Sequence, residues 1–263
     1  MQTYEPSECA REILRYLDCS CEVFPPLEDD EPLCEAYQKA REEGRAAGFT
    51  PVLLTVDETL WECMAEQADP DSGEAAPSPA RVRAYRERVL QEAAAVDGAA
   101  FLAEQIAQRK AEYEEDEEDA FCWQELLGEM EGGYAIDRLT CFWPYASEKT
   151  AEVILARIPT VRPWEIFAWL PMGNWNECPD TPELIAVARH WYERCGAVPA
   201  ALTHDELEFY LEAPVTDAQA AEEIALEHYA FCPDRVEQCE EDGSVGKLAD
   251  TLRKSKIWYF WWD

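Results

Sequence analysis

Two short polar segments in the second half of the chain hold the residues best suited to chemistry: Trp175, Asn176, Glu177, Cys178 and Asp180 in the first, and Thr203, His204 and Asp205 in the second. A thiol near the amino end of a helix ionises more readily, an imidazole can accept its proton, and a carboxylate can orient the imidazole. Cys178 and His204 therefore fit the roles of nucleophile and base, with Asp205 or Glu177 as the orienting group. The remaining residues would line a ligand pocket around them.

These segments need a fold that brings them together. An apolar run at 163–171 predicts a strand, residues 181–196 predict a helix capped by Thr181, and residues 198–203 predict a second strand. In an open α/β sheet, ligands bind beyond the carboxyl ends of the strands. The two polar segments would meet there if the two strands are parallel neighbours.

A purely structural role for the second segment is also open. Two Thr-x-x-Glu segments, starting at Thr55 and Thr203, have the spacing of a capping box, in which both side chains satisfy free amides at a helix start. Residues 48–58 also match residues 196–206 at Gly, Pro, Leu, Thr, Asp and Glu, with a constant offset of 148. This likeness predicts either two related halves or one sheet built from two related strand–helix–strand units.

The alternation of apolar runs predicts an α/β (or α+β) fold, a mixed sheet with helices packed on it. Predicted strands are 18–25, 51–56, 134–143, 152–159, 163–171 and 198–203, and predicted helices are 33–47, 81–96, 99–113, 181–196, 217–230 and 244–255. The chain ends on five consecutive aromatic residues, Trp258 to Trp262. Exposed, they would form a large apolar patch, so we predict a buried C-terminal strand with alternate rings on opposite faces.

Composition divides the chain into an N-terminal α/β unit at 1–65, a Pro-rich linker or loop at 66–80, a helical segment at 81–131 and a C-terminal α/β domain at 132–263. These units form separate domains or pack as one compact domain, and the sequence leaves both arrangements open.

The chain carries 56 acidic and 22 basic residues, a net charge of −34. This charge disfavours binding to nucleic acid or to an anionic membrane and favours attraction of a basic protein. The densest acidic run includes Glu114, Glu115, Asp116, Glu117, Glu118 and Asp119. Such a run is typical of a solvated helix end, and its alternative roles are a surface for a basic partner or a weak Ca²⁺ site.

Eleven cysteines, an odd number with no CxxC pair and no secretory signal segment, predict reduced thiols in the cytoplasm rather than a disulfide framework. No apolar run approaches the length of a membrane span. His190, His204 and His228 lack the spacing of known metal sites, and no phosphate-binding loop is present. We therefore expect neither a metal nor a cofactor.

The second half resembles a bacterial family known as a domain of unknown function, DUF4253. The strings that carry the resemblance are WNECPDTPE, THDELEF, FCPD and the final WWD, and the resemblance is strongest over residues 130–263. It implies an intracellular bacterial α/β domain and supplies no catalytic residues.

The sequence thus favours a non-enzymatic acidic protein that binds a basic protein, in an immunity-type or regulatory role. The alternative is a small-molecule enzyme or ligand-binding domain that uses a pocket around Trp175, Glu177, Cys178, His204 and Asp205. The oligomeric state is left open.

Overall fold

Six strands form one mixed sheet in the computed structural model, which describes residues 4–71, 73, 76–115, 122–238 and 243–263. The strands are β1 (Ser20–Phe24), β2 (Thr50–Thr55), β3 (Val153–Ile158), β4 (Val198–Leu202), β5 (Glu206–Tyr210) and β6 (Ile257–Trp261). Their order is β1-β3-β2-β4-β5-β6, with β2 and β4 parallel and the other neighbours antiparallel. The predicted α/β class and mixed sheet are confirmed.

Helices surround this sheet. Within the described ranges they are α1 (Glu8–Leu17), α2 (Glu31–Ala47), α3 (Glu58–Ala68), α4 (Pro79–Ala93), α5 (Gly98–Glu115), α6 (Trp123–Leu127), a 3₁₀-helix (Pro163–Ala168), α7 (Thr181–Cys195), α8 (Ala218–Phe231), α9 (Asp234–Glu237) and α10 (Val245–Leu252). None of them is long and apolar enough to cross a membrane.

Apolar cores lie on both faces of the sheet, because side chains alternate along each strand. In β2 and β3, Leu54 and Ile154 join the larger core, whereas the adjacent Leu53 and Leu155 join the smaller one. The smaller core also contains Tyr37 of α2. Strands that are buried on both faces explain the continuous apolar runs at these positions.

A helix, a left-handed glycine and a strand follow one another at two places. Gly48 ends α2 with φ 82° and Gly196 ends α7 with φ 75°, as expected for helix C-caps that favour glycine. The strands that follow are parallel neighbours, and Leu54 lies opposite Leu202 in the register. The carboxyl ends of β2 and β4 are therefore adjacent, whereas the predicted crevice depended on a parallel pair formed by residues 163–171 and 198–203, which the structure does not contain.

The predicted strands at 163–171 and 134–143 are wrong. Residues 163–168 form a 3₁₀-helix with Ile166, Phe167 and Ala168 buried, since a short apolar run fits a buried turn as well as a strand. Residues 134–143 contain no strand, and the Thr140 and Cys141 amides donate to the buried carboxylate of Glu208 instead of to a strand partner.

The predicted helix caps at Thr55, Thr181 and Thr203 are also wrong. Asp57, two residues after Thr55, caps α3, and Asp180, the residue before Thr181, caps α7, because each carboxylate takes a free amide in the first turn of its helix. Residues after Thr203 form β5 rather than a helix.

The aromatic C-terminus forms β6, which pairs with β5, and the prediction of a buried C-terminal strand is confirmed. Trp258, Phe260 and Trp262 are at most 1% exposed, and Phe260 stacks on Trp191 of α7 with ring centroids 5.4 Å apart. Trp261, on the opposite side of the strand, is half-buried. Each buried ring contributes roughly 1.5–3 kcal/mol of apolar burial, so β6 is an integral part of the core.

Candidate functional site

The carboxyl ends of β2 and β4 place Asp57 and His204 next to each other. Each residue lies two positions beyond the end of its strand. Asp57 Oδ1 accepts the amide of Leu60 at 2.6 Å and so caps α3. Its second oxygen, Oδ2, lies 3.3 Å from Nδ1 of His204. The helix cap therefore fixes the carboxylate that faces the imidazole.

His204 is half-buried between two carboxylates and an indole. Its Nδ1 lies 3.3 Å from Asp57 and 3.5 Å from Oδ1 of Asp205, and its ring stacks on Trp175 at a centroid distance of 6.3 Å. The hydrogen bond to Asp57 is the largest influence on the pKa of His204, and together with the Asp205 charge it raises that pKa above its ordinary 6.5 against the effect of burial. The two carboxylates thus stabilise the charged imidazolium more than burial destabilises it.

The turn between β4 and β5 holds Asp205 in place. Thr203 Oγ1 accepts the amides of Asp205 at 3.1 Å and Glu206 at 2.8 Å, and donates to Asp205 Oδ1 at 2.7 Å. The indole Nε1 of Trp261 donates to Asp205 Oδ2 at 3.2 Å. The aromatic strand therefore supports the site directly, and Thr203 closes a hairpin turn rather than lining a pocket.

Trp175 lies at the tip of a tight turn between the 3₁₀-helix and α7. Gly173, Asn174 and Asn176 have φ values of 82°, 62° and 47°, a region that glycine and asparagine adopt most easily. A Cβ at Gly173 would lie 2.3 Å from the carbonyl oxygen of Pro179, so this position requires glycine. The turn projects Trp175 towards His204.

Cys178 does not have the environment of an activated thiol. It is 5% exposed, and burial raises its pKa well above the ordinary value, with further increases from the neighbouring Cys232 and Cys63. A reactive thiol needs the opposite shift. Among the described residues no hydrogen bond joins Cys178 to His204, whose Nδ1 faces the two aspartates instead.

The other predicted pocket residues have separate partners. Asn176 donates its side-chain amide to the backbone oxygen of Asp263, and Glu177 accepts from Arg109 of α5 at 3.2 Å. Asp180 accepts the Glu183 amide and caps α7, but its side chain remains exposed. Of these three residues, only Asp180 faces the cleft described next.

A cleft of about 450 Å³ adjoins Trp175 and lies between α3, α4 and the start of α7. Its lining includes three carboxylates, Glu66, Glu92 and Asp180, with Arg88 bonded to Glu92 at 3.0 Å. Deeper in the cleft, the hydroxyl of Tyr85 bonds both Thr181 at 3.1 Å and Gln67 at 3.2 Å, and Thr181 donates to Gln67 at 2.9 Å. The cleft therefore combines an acidic rim with a rigid polar floor.

Sequence reasoning missed Asp57 and the helical residues of this cleft. Asp57 is the counterpart of Asp205 in the alignment of the two Gly-to-Glu stretches, so that alignment could have indicated it. Glu66 and Tyr85 lie on separate helices with no shared motif, and only the fold brings them together.

The remaining predicted features lie away from this site or outside the described residues. Among the described residues, no group of three or more His, Cys, Asp or Glu side chains is arranged to hold a metal ion. His190 bonds Glu227 at 3.1 Å, and His228 is buried among aromatic rings. Of the predicted acidic partner surface, Glu114 and Glu115 end α5, and Asp116, Glu117, Glu118 and Asp119 lie outside the described residues.

Comparison with known proteins finds one family model that matches the C-terminal part of the chain. Residues 154–263 match the family described as "Domain of unknown function (DUF4253)", which confirms the resemblance found in the sequence. No curated protein and no solved structure matches the chain. The match includes Trp175, His204, Asp205 and Asp180, whereas Asp57 and the helices α3 and α4 precede it. The candidate site thus joins the matched region to the segment before it.

Proposed function

We propose that this protein binds a basic protein partner and that the cleft beside Trp175 receives an arginine or lysine side chain of that partner. The observation that carries the proposal is the acidic rim of this cleft, Glu66, Glu92 and Asp180, on a chain of net charge −34. The role would be non-catalytic and regulatory, as for an immunity-type protein that masks a basic surface.

Long-range electrostatics favour such a partner. A strongly negative protein attracts a basic one at a distance and raises the association rate, and the effect weakens as salt shortens the screening length. At short range the rim supplies specific contacts. Glu92 is already paired with Arg88, whereas Glu66 and Asp180 are exposed carboxylates in position to bind a cation.

The aromatic residue of the cleft also suits a guanidinium group. Cations bind over the face of an indole, and planar guanidinium groups stack there in addition to bonding carboxylates. Trp175 borders the cleft and is half-buried, so part of its surface is accessible. An arginine would pair with Asp180 and Glu66 while it contacts Trp175.

A small cationic ligand is the second candidate, because a volume of about 450 Å³ lies in the range of small-molecule pockets. His204, Asp57 and Asp205 do not line the cleft, so in that case they would act on the ligand through Trp175, which stacks on His204. Cys178 would play no covalent part, since burial disfavours its thiolate.

The proposed location is the cytoplasm. The ten described cysteines are all free thiols, which is typical of a reducing compartment. A regulatory partner would be encountered there.

Calorimetric titration with a tetra-arginine peptide tests the proposal. We expect binding at low salt that weakens as sodium chloride is raised. The double variant Glu66→Gln/Asp180→Asn should weaken it about tenfold, since each exposed charge contact contributes up to about 1 kcal/mol. Asn replaces Asp at the α7 cap with little loss of stability.

The matched control is Glu35→Gln/Glu42→Gln, which removes the same charge from the exposed side of α2. It should change the affinity less than twofold. Equal weakening by both double variants would show diffuse attraction and contradict the cleft. Absence of binding at low salt would contradict the proposal as a whole, while binding of the amino acid arginine as tightly as the peptide would favour the small-ligand candidate.

A further inference from the structure

Cys19 and Cys21 lie side by side at the junction of α1 and β1. Asp18 ends α1 with φ 49°, Cys19 follows in a bend, and Cys21 is the second residue of β1. Because alternate residues of a strand share a face, the two side chains point the same way, with their sulfur atoms 3.7 Å apart. Both residues are partly exposed, so a small reagent can reach them.

The backbone spacing permits a bond between these sulfur atoms. Two residues of strand span about 6.6 Å between Cα atoms, at the upper end of the range that disulfides bridge. Cys19 lies in a bend just outside the strand, so its Cα is not held at the full strand spacing. A disulfide at this limit of geometry is readily reduced, which is typical of a redox-active pair rather than a structural one.

The charges around the pair favour one thiolate. The hydrogen bond between the two thiols is the largest influence on the pKa of Cys19 and lowers it, burial acts against it, and the nearby Arg86 and the backbone amide of Arg157 lower the pKa further. The same hydrogen bond raises the pKa of Cys21. For comparison, burial raises the pKa of Cys9. Cys19 is thus suited to attack and Cys21 to resolve, as in other pairs with one activated thiol.

We propose that Cys19 and Cys21 form a reversible disulfide by exchange with a low-molecular-weight disulfide such as oxidised glutathione. The Cys19 thiolate attacks one sulfur of the oxidant, a mixed disulfide forms, and one glutathione thiolate leaves. The Cys21 sulfur, after losing its proton to water, attacks Cys19 and displaces the second glutathione. The pair is oxidised by two electrons, and the oxidant is reduced to two thiols.

Peptide mapping of the full chain tests this reaction. The protein is treated with oxidised glutathione, quenched in acid, labelled with N-ethylmaleimide and cleaved after glutamate. Cleavage after Glu12 and Glu22 releases residues 13–22, which contain Cys19 and Cys21 and no other cysteine. We expect this peptide to carry neither label and to be two hydrogens lighter than the reduced, unlabelled peptide. When dithiothreitol is added before labelling, both cysteines should be labelled.

Two variants separate the roles of the thiols. Cys21→Ser should retain glutathione on Cys19 because nothing resolves the mixed disulfide, and Cys19→Ser should react at least tenfold more slowly at Cys21. The exposed Cys122 serves as the internal reference for an accessible cysteine. The proposal is overturned if residues 13–22 carry both labels while Cys122 is glutathionylated. It is also overturned if this wild-type peptide carries glutathione and no Cys19–Cys21 disulfide forms. The wild-type measurement decides the question even where a variant folds poorly.

Discussion

Glu208 is the most deeply buried carboxylate among the described residues, and its titration tests how burial and hydrogen bonding balance in this fold. It lies on β5, in the interior of the sheet, and is 0% exposed. The amide of Thr140 donates to it at 2.8 Å and that of Cys141 at 3.2 Å. These donors favour the ionised form, but the loss of solvation is the larger effect and raises the pKa of Glu208 to about 7.

The variant Glu208→Gln removes the charge and keeps the shape. A carboxyl whose pKa is 4.5 when unfolded and about 7 when folded binds more protons in the folded state between those values. Its contribution to stability is therefore complete below pH 4.5 and is lost as the pH rises to 7. Across that interval the wild type should lose about 3 kcal/mol of unfolding free energy that the Gln variant does not lose.

Urea unfolding at a series of pH values from about 4.5 to about 8 measures this difference. The difference in unfolding free energy, variant minus wild type, should increase by about 3 kcal/mol over the series, whatever the fit of the Gln side chain itself. Glu42→Gln, on the exposed side of α2, controls for the loss of one surface carboxylate. A difference that stays constant with pH would show that the Thr140 and Cys141 donors balance or outweigh burial, and would contradict a pKa of about 7 for folded Glu208.

Three further predictions concern the histidines and the aromatic strand. Burial lowers the pKa of His228 well below 6.5. The unfolding free energy of the wild type should therefore fall by about 1.4 kcal/mol for each pH unit below 6.5, relative to that of His228→Phe. Parallel pH profiles of the two proteins would contradict this. An NMR titration of His204 should give a pKa above 6.5 that falls in Asp57→Asn, and an unchanged titration would exclude Asp57 as its main partner. In denaturant unfolding, Phe260→Ala should lower the unfolding free energy by about 3–5 kcal/mol, and Trp261→Ala should lower it clearly less. Equal losses would contradict the alternation of buried and half-buried rings in β6.

Local signals predicted much of this fold. Gly48 and Gly196 end helices because they adopt left-handed backbone, a property of the residue itself, and the short apolar runs that follow them predicted the next strands. The five aromatic residues at the C-terminus predicted burial, because exposed rings would form a large apolar patch. The structure buries them as a strand at the edge of the sheet. Such features depend on neighbours in the sequence, so the sequence alone identifies them.

Features that depend on competition between distant groups were not predictable in this way. Residues 163–171 are apolar enough for a strand. In the structure, residues 163–168 form a 3₁₀-helix that packs against α7 and buries its apolar side chains there. Thr203 has the spacing of a cap, yet its hydroxyl takes two amides of a hairpin turn. The candidate site shows the same limit, since Trp175 and His204 were predicted to meet, while Glu66 and Tyr85 reach the cleft only through helix packing.

The indole resonance of Trp175 provides the most direct test of the proposed cationic cleft. The chain has ten tryptophans, so the spectrum of ¹⁵N-labelled protein contains ten indole N–H signals. The signal that is absent from the spectrum of Trp175→Phe belongs to Trp175. On addition of tetra-arginine peptide, the Trp175 signal should shift to saturation, and the shift should be greatly reduced in Glu66→Gln/Asp180→Asn. A Trp175 signal that stays fixed while other resonances move would place the peptide elsewhere and contradict the account.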